Sequence, residues 1–281
     1  MSTWKALCRH RDKLRYIAME RVRAEVEKIV QGQHPDRGIR LLARSRLLQF
    51  TKADLDLPEN CAMPGGLGEF TQPLWRWTAL FRMLNFRERA ARDMMRKLTF
   101  SRKRENEVGK QLRFHEYWEA YLIQAAEERH SWNRVRDAWK LAVIDFSKDI
   151  LSGWLAIIHS TQAPLAEKAV FEKAGAVLET VKREGRKWLN EVAVETLRDL
   201  RITGKDLSRF GAPGPWVGEI LHTLLREAAL DTLENTPDAL IKRARQEIER
   251  LRQEKAQQLQ PETLPWLHRT VLSFREAKVQ E

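Results

Sequence analysis

The chain of 281 residues has almost no cysteine: Cys8 and Cys61 stand alone, without a CxxC pair or metal-ligand spacing. This excludes a zinc cluster and a disulfide framework and predicts two free thiols on helix faces. No run of about 18 apolar residues occurs, and the N-terminus MSTWKALCRHRDKLRY carries charges where a signal peptide needs its apolar stretch. A cytoplasmic, unanchored protein is expected. Period-2 alternation is nearly absent, which argues against a sheet, and no fixed-period repeat supports a solenoid. The sequence also lacks GxxxxGK[ST], GxGxxG, HExxH and GxSxG, and its seven histidines show no HxH or HxxxH spacing. The common phosphate-loop, dinucleotide, zinc-protease and serine-hydrolase chemistries therefore have no anchor here.

What the sequence does have is apolar residues at helical spacing along most of its length. Ile17, Val22, Val26, Ile29 and Val30 form one such stripe, and Leu221, Leu224, Leu225 and Ala228 another. An all-α fold is predicted, a multi-helical elongated array without an α/β domain. Breaks fall at Gln31–Gly38, Leu57–Gly68, Thr99–Ser101, His159–Pro164, Thr203–Pro215 and Asn235–Pro237, each with Gly, Pro or a capping side chain. They divide the chain into a helical pair (1–50), a helical body (51–200, its parts being 51–115 and 116–200) and a C-terminal segment (201–281). Trp75, Trp77, Trp118, Trp132, Trp139 and Trp154 lie among apolar helical residues and are expected in the core. Lys242–Gln260 carries only Ile248, Leu251 and Leu259 as an apolar stripe, so it reads as a solvated or partner-binding helix.

The net charge is +11, and it is segregated. Residues 1–115 hold 25 Lys and Arg against 13 Asp and Glu, a balance of +12; the remainder is near neutral, 25 against 26. Such segregation suits a phosphate-binding surface, because each neutralised phosphate releases condensed counterions, and it favours nucleic acid over an anionic membrane or an acidic protein. Within this half, Arg89, Arg92 and Arg96 stand at i, i+3 and i+7 on one helical face, followed by Arg102, Lys103 and Arg104 at a break. They form a predicted phosphate rail. Met63–Gly68 (MPGGLG) lacks the Lys and Ser/Thr of a phosphate loop and reads as an interhelical connection. His115 and His130 flank Glu116, Glu119, Glu127 and Glu128; on one helix Glu127 would share a side with His130, as a solvated pair.

Three stretches resemble the RNA-binding neck, body and tail of bacterial CCA-adding enzymes and poly(A) polymerases of the class II nucleotidyltransferase family. Leu14–Gly32 (LRYIAMERVRAEVEKIVQG) with Gly38–Leu48 (GIRLLARSRLL) is similar to the neck, where Glu20, Arg21, Glu25, Glu27 and Lys28 fall on its pattern. Arg96–Leu112 (RKLTFSRKRENEVGKQL) resembles the L-x-x-S-N-K helix start of the body, with Arg102 where Asn is usual. Ile202–Ala244 carries the tail's Gly-Lys-Asp-Leu turn, Pro-Gly-Pro-Trp-Val-Gly and Asn-x-x-x-x-Leu helix start. Locally, Pro215 suits a first helical turn anchored by Trp216, and Asn235 suits an N-cap. Residues 116–200 align by helical character only.

The resemblance implies a tRNA-binding protein of tRNA 3′-end processing, with Arg21, Arg23, Arg89, Arg92, Arg96, Arg102, Lys103, Arg104, Lys205 and Trp216 as RNA contacts. The family's catalytic head has a Gly-Ser pair, a magnesium-binding Asp-x-Asp, an Arg-Arg-Asp segment and a base-reading Asp-x-x-Arg, all before the neck. This sequence begins at the neck and contains none of them, so no catalytic residue and no metal ligand is expected, and activity alone is not. Mg2+, CTP and ATP would be bound only if a separate nucleotidyltransferase subunit supplied the head. The rival expectation is a helical scaffold or regulator that no longer binds RNA and engages a protein through Lys242–Gln260. Homo-oligomerisation stays open.

Overall fold

A computed structural model describes residues 3–57, 65–160, 172–212 and 214–258, with side chains to residue 254. Among these residues there is no strand: the all-α prediction is met. The structure divides into two compact units, 1–193 and 194–281. The 1–50 pair and most of the 51–200 body thus fall in one unit.

In the first unit, α1 (Thr3–Arg9) is followed by α2 (Met19–Gln31) and α3 (Pro35–Ser45). Val22, Val26 and Val30 repeat every fourth residue, so they share one side of α2 and bury against Ile39, Leu42 and Ala43 of α3. Pro35 stands in the first turn of α3, where the missing N–H costs nothing, and Arg46 in the left-handed region ends that helix. α4 (Pro73–Met83) is buried on all sides from Trp77 to Met83, as a helix at the centre of a core must be. Around it lie α5 (Glu88–Lys97), capped at its end by the turn of Thr99, and α6 (Arg102–Glu127).

A side chain that the sequence reading did not single out clamps the end of α2 to the body. The Arg76 guanidinium, from α4, donates to the carbonyls of Val30 (3.1 Å) and Gly32 (2.9 Å) at the end of α2, and to Phe70 and Gly68 in the preceding loop. A planar fork of five donors is the one side chain that can satisfy so many carbonyls at once, and a cation at a helix C-terminus is also favoured by the dipole.

The second half of this unit is built on aromatics. α7 (Trp132–Phe146), α8 (Lys148–Ser160) and α9 (Gly175–Glu191) pack on α6 around Phe114, Trp118, Trp139 and Trp154. Trp118 and Trp139 have centroids 4.8 Å apart, and Phe114 meets Trp154 edge-on at 5.9 Å. Two of the buried indoles find acceptors, Trp139 donating to the Gly185 carbonyl (2.9 Å) and Trp154 to His115 Nδ1 (3.0 Å), while the Trp118 N–H is buried without one. The expectation for Trp132 fails. It opens α7 directly after the Ser131 N-cap and is 53% exposed, because the chain turns at residues 128–131 where the sequence reading continued one helix. Trp75 is only partly buried. The same turn places His130 outside α6, where its Nε2 meets Glu128 at 2.7 Å and not Glu127.

The second unit contains α10 (Gly204–Leu207), α11 (Pro215–Ala229) and α12 (Pro237–Gln258). Thr203 and Asp206 form a capping box at α10. Ile220, Leu224 and Leu225 bury with Leu240, Ala244 and Ile248, so α12 is a packed helix on its first half, more than the solvated one its composition suggests. Arg243 donates three hydrogen bonds to Glu227 (2.6, 2.9 and 3.1 Å) and one to Glu247 at 3.0 Å. Asn235 is a tertiary staple and not the expected N-cap: its Oδ1 accepts from Arg201 N (3.0 Å) and its Nδ2 donates to Asp199 O (2.9 Å). Cys61 and Leu259 lie outside the described residues.

Replacing Arg76 should be costly, since four carbonyls lose a donor together. Arg76→Met is expected to lower the unfolding free energy by roughly 2–4 kcal/mol, and Arg76→Lys to recover little, as a point donor cannot serve the fork. Urea denaturation of both variants checks this.

Candidate nucleic-acid interface

The basic half of the sequence becomes a surface on α2, α5 and the start of α6. These elements are tied by Arg23, whose guanidinium donates to the Thr99 carbonyl in the α5–α6 turn and lies over the Phe100 ring at 5.7 Å. Glu27 pairs with it at 3.7 Å. Arg23 is therefore a structural strut, and its commitment brings α2 against the turn that presents Arg102–Arg104.

The predicted rail of Arg89, Arg92 and Arg96 is not what the fold builds. The spacing does put the three on one side of α5, but Arg92 and Arg96 are turned onto α6, where Glu105 lies within 3.8 Å of the first and 3.2 Å of the second. Arg92 Nε pairs with Glu88 at 2.8 Å, its Nη1 meets Asn106 at 2.7 Å, and its side chain is 17% exposed. It lies across Gly109: a Cβ built there would come 2.3 Å from Arg92 Cζ, so only glycine lets the guanidinium sit on α6. Arg96 pairs with the buried Glu105 at 3.2 Å and keeps 60% of its side chain exposed. Arg89 stays exposed, with no ion pair among the described residues.

Glu88 is the hub of this arrangement. It receives Arg92 and also Arg113 (3.0 Å), and its own amide donates to Glu116 Oε1 at 2.5 Å. Glu116 thus caps α5 from outside, and Glu119 holds Arg87 at 2.7 Å. Partial burial pushes the Glu88 carboxyl up, but the hydrogen bonds from Arg113 and Arg92 outweigh it and hold the group below the usual carboxylate range.

After this neutralisation, Arg21, Arg89, Arg102 and Lys103 are the predicted RNA contacts of this unit that stay exposed without an ion pair among the described residues, and Arg96 offers its outer edge. Arg104 is within 4.0 Å of Glu107. Arg102 and Lys103 occupy the first turn of α6, behind the Ser101 cap, which accepts from Arg104 N at 3.3 Å. Cations there oppose the helix dipole, so they cost some stability and strengthen the positive field of that end. In the second unit, Lys205 is exposed on α10 and Trp216 is half-buried on α11, its indole donating to the Ala212 carbonyl at 3.0 Å. No group of three or more His, Cys, Asp or Glu that could hold a metal occurs among the described residues, and none of their helices is long and apolar enough to cross a membrane.

An all-helical body of this kind, with a basic helical pair in front of it, corresponds to two known sequence families. Residues 1–56 match one described as the probable RNA and SrmB-binding site of polymerase A, and residues 69–244 match one described as tRNA nucleotidyltransferase domain 2. The gap between them falls in the Gly/Pro stretch at 57–68, and the second match includes residues 116–200, where the sequence resemblance rested on helical character alone. The chain belongs to the tRNA nucleotidyltransferase family.

It is similar to the CCA-adding enzyme of Levilactobacillus brevis, with 24% identity over 249 residues, 85% of this chain and 53% of that protein. It also shares the fold of the Bacillus stearothermophilus CCA-adding enzyme, crystallised in complex with CTP: the TM-score is 0.63 at 20% identity, over 90% of this chain and 58% of that one. The chain spans about half the length of the curated relative it matches.

Because Glu88 has a depressed folded value, its contribution to stability is complete above the unfolded carboxylate pKa of about 4.3 and is lost as pH falls through the lower folded value. Glu88→Gln is expected to destabilise by about 1–3 kcal/mol at pH 6. The gap to the wild type should narrow towards pH 3, as followed by urea unfolding at each pH.

Proposed function

We propose that this chain holds tRNA for a CCA-adding nucleotidyltransferase, placing the tRNA 3′ end where CTP and ATP are added. The observation that carries the reading is the set of uncompensated cations, Arg21, Arg89, Arg102 and Lys103, on the elements that match the RNA-associated family segments. The body has carboxylates enough to neutralise Arg92, Arg96 and Arg113, yet these four are left without one among the described residues. In a fold that opposes its own α6 dipole with two cations, a polyanion supplies the compensating charge.

In this reading binding follows the shape and phosphates of the tRNA, with little base reading by the basic surface. Magnesium, CTP and ATP belong to a catalytic head, and this region contributes position. A cytoplasmic location goes with the same proposal.

The test is Arg102→Ala with Lys103→Ala, titrated with tRNA across a salt series. Affinity is expected to fall about tenfold for every tRNA, and the slope of log K against log salt to shrink by about one per lost phosphate contact. Arg92→Ala should instead lower stability and leave the salt slope unchanged. An unchanged slope in the double variant overturns the reading in favour of a helical scaffold.

A further inference from the structure

The row of arginines that the sequence reading sought on α5 is built instead on α3. Arg37, Arg40 and Arg44 stand at i, i+3 and i+7, and all three are exposed. At about 100° per residue their common direction is nearly opposite that of Pro35, Ile39, Leu42 and Ala43, which are buried. Gly38 fixes this orientation, because it lets α3 press on α2: a Cβ there would come 2.5 Å from Ile29 Cγ2.

What separates these arginines from those of α5 is the lack of a facing carboxylate. Arg92 and Arg96 meet Glu105 of α6, whereas α3 holds one acid, Asp36, and none of its three arginines has an ion pair among the described residues. Three guanidiniums along about 10 Å of helix repel one another, and an anion from outside relieves that repulsion.

The arm that precedes α2 adds a second observation. It comprises α1 and the 3-10 turn Arg11–Tyr16, neither of which has a buried residue. Arg11 fastens it to the end of α3, donating to the Ser45 carbonyl at 3.4 Å and lying over the Phe50 ring at 4.3 Å. Residues 3–16 hold five Lys and Arg against one acid, Asp12, and Arg9, Lys13 and Arg15 are exposed without an ion pair among the described residues. Tyr16 is 78% exposed. Since α2 and α3 are joined by residues 32–34 alone and pack together, the start of α2 lies at the end of α3, and Tyr16 sits at the Arg44 end of the row.

A cationic row with an exposed aromatic ring at its end matches single-stranded nucleic acid, the row taking phosphates and the ring a base face. A duplex keeps its bases stacked and gives Tyr16 nothing to contact. An anionic membrane fits less well, because Leu41 is the one large apolar side chain that α3 exposes.

We infer that α3 and the arm bind single-stranded RNA, with phosphates on Arg37, Arg40 and Arg44 and one base stacked on Tyr16. The face rests on the reading of the chain as an RNA-binding protein and lies wholly within residues 1–56, the segment matched by the RNA-associated family. It adds a strand-binding surface to the cations of α2, α5 and α6, and none of its residues is among the contacts expected from the sequence.

The experiment titrates the full chain with short oligo(U), a blunt RNA duplex and tRNA across a salt series. The variants are Arg37→Gln with Arg40→Gln and Arg44→Gln, Tyr16→Ala, and Tyr16→Phe. All should unfold close to the wild-type temperature, because none of the four side chains has a hydrogen bond or ion pair among the described residues. The wild type is expected to bind oligo(U). In the triple variant the slope of log K against log salt should shrink by about two, at about 0.7 per phosphate contact. Tyr16→Ala should weaken oligo(U) about five- to a hundredfold, the range of one stacked base, and leave the duplex unchanged; Tyr16→Phe keeps the ring and should bind as the wild type does. If tRNA binds and oligo(U) does not, or oligo(U) binding is the same in every variant, the face is overturned while the tRNA reading stands. Oligo(U) binding with these losses and no tRNA binding keeps the face and ends the tRNA reading, and binding of neither ends both. Phosphatidylglycerol vesicles bound as tightly as oligo(U), with the same losses in the variants, would assign the face to a membrane and overturn the inference.

Discussion

The first unit depends on the Arg76 guanidinium more than on any other polar group. Two stretches that correspond to separate sequence families meet at the C-terminal end of α2, where the helix leaves carbonyls without intrahelical partners. Arg76 covers Val30 and Gly32 there, and with the same fork holds the loop at Gly68 and Phe70. The valine stripe of α2 can then lie on α3 while the α2 end faces α4. Without this clamp the apolar contacts would still favour association, but the C-terminal end of α2 would lose its directional link to α4, leaving Arg23 at the Thr99 carbonyl to set the register of α2 against the body.

The charges of the body follow a second constraint: α6 provides acidic groups to one side of α5, and α5 provides guanidiniums to it. Glu105 takes Arg96 and approaches Arg92, Glu116 caps the α5 amide, and Glu119 takes Arg87. Exposed ion pairs add little stability on average, but the burial of Glu105 and Glu119 makes their partners obligatory. The positive surface is therefore what remains after the interior has been neutralised. At the α5–α6 turn it includes Arg102 and Lys103. That turn is also where Arg23 anchors α2, so the geometry that stabilises the unit also decides where the uncompensated cations sit.

Much of the fold could be read from residue order. The four-residue repeat of Val22, Val26 and Val30 identified a buried helix face, Pro215 and Pro237 marked helix starts, and Ser101 marked the start of α6. The turn at 128–131 was missed because its only overt signal is Ser131, set between helical segments that each read well by themselves. Trp132 was placed in the core for the same reason: apolar identity says that a residue can be buried, and only the exit of the helix from the core says that it is not.

Sequence alone determined the helical class, the segregation of positive charge into the first 115 residues and the family resemblance, because periodicity, composition and motif order are properties of the chain itself. Tertiary structure decided which cations are available. Arg89, Arg92 and Arg96 are equivalent by spacing, yet Arg92 is locked over Gly109, Arg96 is half-paired and Arg89 is exposed. The pairing of Arg76 with Val30 and Gly32 was equally hidden. A side chain's partners lie on other helices, and the distance between helices is set by packing, which no local pattern encodes.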